Sequence, residues 1–80
     1  MPTYLLHHQH RSDECAVAYA AWKGFDSPLR HHHTVSSCVE GGHLIWWTVA
    51  AVSPDAALAL LPPYVADRTQ PIRVRAVLIP

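Results

Sequence analysis

"HTVSSCVEGGHLIWWTVAAV", residues 33–52, joins two runs rich in β-branched and aromatic residues through Gly41-Gly42. Adjacent glycines adopt positive φ at no steric cost, so the pair predicts a two-residue hairpin turn. With that turn Val39 faces Leu44, Cys38 faces Ile45, Ser37 faces Trp46 and Ser36 faces Trp47. Side chains alternate along a strand, which puts Cys38, Ile45, Trp47 and Val49 on one face. Val35, Val39, Leu44 and Trp46 share the other. Both faces are apolar, so both require cover. Trp46 and Trp47 point apart: one enters the core and the other serves a second surface.

Upstream of the hairpin, residues 3–9 read as a strand. Arg11-Ser12-Asp13-Glu14 then reads as a helix start, with Ser12 as cap and two acids in the first turn. The helix is expected from Asp13 to Lys23, stopping at Gly24, with Cys15, Ala18, Tyr19 and Trp22 as its apolar stripe. Downstream, Ser53-Pro54-Asp55 opens a second helix, Ala56 to Leu61, which Pro62-Pro63 interrupts. Tyr64 to Arg68 adds a turn. Ile72 to Ile79 alternates as a last strand. The order β-α-β-β-α-β predicts an α+β, ferredoxin-like fold. Its four-stranded antiparallel sheet has spatial order 4-1-3-2 and carries two helices on one face. Eighty residues make a single domain, 1–80.

The opening strand "MPTYLL", the helix start "SDEC", the hairpin "EGGHLIWW" and the second helix "SPDAALALL" together span nearly the whole chain. In these features the chain resembles small dimeric α/β-barrel bacterial families with a ferredoxin-like fold, a nickel-binding protein among them. The resemblance implies a homodimer closed through the open sheet face. It specifies no reaction and carries over no ligands.

Half of the residues are apolar and 15% are charged, which excludes disorder and leaves little charge to spread over a monomer. The formal net charge is zero with histidine neutral, and no basic stripe is present. Nucleic acid is therefore not an expected partner. The N-terminus lacks a basic region before its short apolar run, and no apolar window reaches membrane-spanning length. The expected setting is cytoplasmic, with no membrane partner and with Cys15 and Cys38 as reduced thiols. No C-x-x-C spacing points to zinc, so both cysteines are expected to pack as small hydrophobes.

Chemistry concentrates in the seven histidines. His8 and His10 share a strand face, as i and i+2 side chains do, and His7 points away. Taking the third strand as parallel to the first, the end of strand one meets the start of strand two at one rim. Cys15 and Arg73 join that rim, while Cys38, Glu40 and His43 fall at the opposite end beside Pro2. The leading metal ligands are then His8 and His10, with His32 or His33 as third. Imidazoles in this number suit an open site for a divalent transition metal: Ni, Zn or Cu. An intervening strand starts the two histidine clusters about 10 Å apart. A solvated sheet rim is the plainer alternative for the same residues.

Trp46 beside Arg73 offers a cleft for a small anionic or aromatic molecule, while Arg73 and Arg75 pointing outward as ordinary edge-strand protection is the favoured alternative. An isomerase or tautomerase reading makes Pro2, freed of Met1, a general base, with Arg11 or Arg30 holding a substrate carboxylate. A non-catalytic interaction module is the third reading.

Overall fold

A computed structural model describes residues 1–80. Two alternating apolar runs form the central strands, β1 (Thr3–Gln9) and β3 (Leu44–Ala50). They pair antiparallel from Thr3↔Ala50 to Gln9↔Leu44. β4 (Thr69–Val74) pairs antiparallel with β1, and the short β2 (Val35–Ser36) with β3. The sheet order is β2-β3-β1-β4. Three short helices complete the chain: α1 (Cys15–Ala20), α2 (Pro54–Leu58) and α3 (Pro63–Ala66). The architecture is α+β, with an open four-stranded antiparallel sheet.

The direction of β3 corrects the sequence-based expectation. β3 opposes both of its neighbours, so it cannot run parallel to β1. A hairpin reverses the chain, and β2 runs parallel to β1 with β3 lying between them. The start of β3 therefore lies beside the end of β1, at the opposite end of the sheet from Pro2.

The hairpin register differs too. Val35 faces Trp46, Ser36 faces Ile45, and the Ser37 N–H donates to the Leu44 carbonyl at 2.8 Å. Residues 38–43 form the loop. A slip of two residues preserves the faces, because side-chain direction repeats every two residues. Gly41 takes a positive φ of 86°, and a Cβ at Gly42 would collide with the Ser37 side chain. The glycines thus serve a six-residue loop in place of a two-residue turn.

The first helix is shorter than its apolar stripe implied. A 3-10 turn, Ser12–Glu14, precedes α1, and the chain turns through residues 21–24, ending at Gly24 with positive φ. Arg11, not Ser12, is the boundary residue, and its backbone N–H donates to the Glu14 carboxylate at 2.9 Å. Ser53 caps α2 as expected, its Oγ accepting from the Ala56 N–H at 3.1 Å. β4 begins three residues before Ile72 and ends at Val74, leaving Val77, Leu78 and Ile79 exposed.

The core lies between the helices and one sheet face. It joins Tyr4, Leu6, Ile45, Trp47 and Val49 to Ala51, Ala57, Leu61 and Val65. Trp47 is the core tryptophan and packs on Trp22. Trp46 lies on the other face, where its indole N–H donates to His7 Nδ1 at 2.9 Å.

Candidate metal centre

The strand registers build the site. One step beyond Gln9↔Leu44, the β1–β3 ladder sets His10 opposite His43, and the His10 N–H donates to the His43 carbonyl at 3.2 Å. One step beyond Ser37 and Leu44, the hairpin sets Cys38 opposite His43. His10, His43 and Cys38 thus form one row across three chain segments, on the side that carries Leu6 and His8. His43 has a positive φ of 57°, a region where histidine is enriched among non-glycine residues. The chain returns over this row with Cys15, the first residue of α1.

The donor atoms converge. Cys15 Sγ lies 3.2 Å from His10 Nε2 and 3.1 Å from His43 Nδ1, and Cys38 Sγ lies 3.5 Å from His10 Nε2. All four donor atoms lie within 4.8 Å of one another. Neighbouring S and N ligands of a tetrahedral zinc ion stand roughly 3.5 Å apart, given Zn–S near 2.3 Å and Zn–N near 2.0 Å. The cluster has the donor set of a Cys2His2 site, with its donors close enough to share one ion. It could hold a metal ion.

A buried hydrogen-bond chain orients His10. Thr69 donates its hydroxyl proton to the Val65 carbonyl at 2.6 Å, so its oxygen accepts from His8 Nδ1 at 3.0 Å. The Val65 carbonyl, 3.2 Å from His8 Nδ1, is also an acceptor only. His8 therefore carries its proton on Nδ1 and accepts through Nε2, 2.9 Å from His10 Nδ1. His10 must donate there, which leaves the lone pair of its Nε2 facing the two thiols. Outer partners of this kind set ligand tautomer and ring orientation at metal sites.

The electrostatics suit that arrangement. Burial, then repulsion between the rings, lowers the pKa of His8, and burial followed by His43 lowers that of His10. Both are held toward the neutral form, which His10 needs to coordinate and His8 needs to accept from it. Burial and the neighbouring Cys38 raise the Cys15 pKa. Two thiolates in this space need a compensating cation, which a bound metal supplies. Glu14, next to Cys15, is held at about 2, first by the Tyr64 hydroxyl and then by the Arg11 N–H. Tyr64 donates to it at 2.6 Å and Arg68 Nε at 2.9 Å, which ties the start of α1 to α3 and the turn beyond it.

Of the sequence-based candidates, His10 lies in the cluster and His8 stands directly behind it. His32 and His33 are exposed, lining a cleft outside the four-residue group. Cys15, Cys38 and His43 complete the group in place of His8, His32 and His33, although Cys38 and His43 were expected at the opposite end of the sheet beside Pro2 and both cysteines as packing residues. The missing signal was the strand direction: with β3 antiparallel to β1, His43 just before β3 lies beside His10 just after β1, and the 38–43 loop brings Cys38 to them.

Trp46 and Arg73 lie on opposite faces, because Arg73 opposes Tyr4 and Trp46 opposes His7. β4 starts at Thr69, so Thr69 occupies the rim position expected of Arg73. Pro2 lines a shallow cleft with Arg73 and Arg75. Arg11 lies beyond the far end of β1, paired with Asp13 at 3.1 Å, and Arg30 donates to the Phe25 carbonyl. The fold therefore does not gather Pro2, Arg11 and Arg30 into one site.

Comparison with protein-family models, curated proteins and solved structures finds no match to this chain. No helix is long and apolar enough to cross a membrane.

Proposed function

We propose that this chain is a small metal-binding protein that holds one divalent transition-metal ion, zinc before nickel or copper, through His10, Cys15, Cys38 and His43. The observation that carries this reading is the convergence of four donor atoms within 4.8 Å. Two thiolates and two imidazoles are a donor set typical of zinc, and it is the donor chemistry that places zinc before nickel or copper. Four protein ligands leave no open coordination position, so the metal is structural and not catalytic. It ties β1, the hairpin loop and α1 together at one end of the sheet.

The strand order supports a ferredoxin-like plait, and the apolar side chains of the uncovered face support a homodimer of the dimeric α/β-barrel kind. Val35 is 67% exposed there and Ile72 37%, alongside half-buried Leu5, Leu44 and Trp46. A reducing, cytoplasmic setting suits two free thiols.

The test is elemental mass spectrometry of the native protein, purified without an affinity tag. The expected result is about one zinc ion per chain, lost in the Cys15→Ser, Cys38→Ser double variant. Metal-free protein that also takes up none from excess zinc would overturn the reading. Sedimentation equilibrium tests the dimer, which Trp46→Arg is expected to dissociate.

A further inference from the structure

We propose that a second site, a cleft beside α1 on the helix-bearing side of the sheet, binds a planar aromatic carboxylate. Its volume is about 430 Å³, within the range of small-molecule sites. Trp47 and Ile45 of β3 contribute from the sheet, Trp22 beyond α1 forms a wall, and Leu29 closes the apolar part. The half-buried Trp22 ring packs on the buried Trp47 ring, 5.8 Å away and inclined at 46°, so Trp22 supplies most of the accessible aromatic surface of the cleft.

The rim supplies the charge. Lys23 and Arg30 line the cleft together with His31, His32 and His33, and no aspartate or glutamate does. Neither Lys23 nor Arg30 forms a salt bridge. Arg30 donates one N–H to the Phe25 carbonyl at 3.4 Å, and its guanidinium fork remains suited to a planar carboxylate.

An aromatic body over the indoles with one carboxylate toward Arg30 and Lys23 satisfies both halves of the cleft. A cationic guest meets like charge, and an aliphatic anion forfeits the stacking. The proposal uses none of the four metal donors, so it stands or falls independently of the metal reading.

The experiment titrates the full-length protein, as purified, with 2-naphthoate, followed by amide and indole N–H shifts in two-dimensional NMR. Uncharged 2-naphthalenemethanol and cationic 2-naphthylmethylamine are the controls. The expected result is saturable binding whose shifts map to Trp22, Leu29 and Trp47. The carboxylate should bind about tenfold or more tighter than the alcohol, as a charge-assisted hydrogen bond gives. Lys23→Gln with Arg30→Gln, both at the rim, should bring the carboxylate's affinity down to that of the alcohol. Trp22→Leu should weaken both ligands. Absence of saturation up to about 1 mM, equal affinity for the three probes, or shifts that map elsewhere would each overturn the proposal.

Discussion

His8 has no accessible surface, and its ring touches neither thiol; it acts through His10. A histidine in so apolar a position is tolerated because both ring nitrogens have partners, Thr69 and Val65 on one side and His10 on the other. Its alternation with His10 along β1 was legible in the sequence, and that alternation made the pair candidate ligands. Its role as an orienting group was not legible, because it depends on a carbonyl from α3 and a hydroxyl from β4. His8→Phe keeps the volume and removes the acceptor for His10 Nδ1. The expected outcome is a fall in zinc affinity of roughly 10- to 100-fold, the usual effect of losing an outer-shell partner. Competition against a chromogenic chelator checks this. An unchanged affinity would show that His10 needs no orienting partner.

At the scale of elements, α1 is too short to hold itself in place. Six residues make fewer than two turns, and helices of that length owe their stability to tertiary contacts. Glu14 provides the main polar contact, accepting from Tyr64 and Arg68, with Arg68 also lying over the Tyr64 ring at 3.7 Å. The pH dependence follows from its lowered pKa. The folded state holds Glu14 at about 2, against an ordinary value of 4.5. The unfolded chain therefore takes up this proton first as pH falls. The contribution is complete above pH 4.5 and is lost as pH drops from there through about 2. Urea midpoints measured across that window should decline in the native protein and decline less steeply in Glu14→Gln. Parallel profiles would exclude Glu14 as the source. The helix start itself was legible in "RSDE", since acids favour the first turn. The cap falls one residue earlier than the sequence implied: the 3-10 turn begins at Ser12, so Arg11 is the boundary residue and its N–H donates to the Glu14 carboxylate.

Across the whole molecule, the core cluster has only nine buried residues and no helix exceeds six. Chains of this size commonly need a disulfide, a metal or a partner to supplement such a core. The two cysteines are free, and an ion held by the four-residue group would join the end of β1, the hairpin loop and the start of α1. Removing the ion with a strong chelator should lower the melting temperature by about 10 °C or more. That corresponds to a loss of about 2 kcal/mol or more in a domain of this length, where each kcal/mol shifts the midpoint by about 4–8 °C. Calorimetry with and without chelator checks this, and coincident transitions would count against a structural metal. By itself, the sequence determined the element order, the two apolar faces of the hairpin and the pairing of His8 with His10. Those features are local, written in periods of two or about four residues and in turn chemistry. Which tryptophan enters the core, which way β3 runs and which four side chains meet were decided only by the tertiary structure. Each depends on register between strands distant in sequence, and His10, Cys15, Cys38 and His43 become neighbours only once those registers are set.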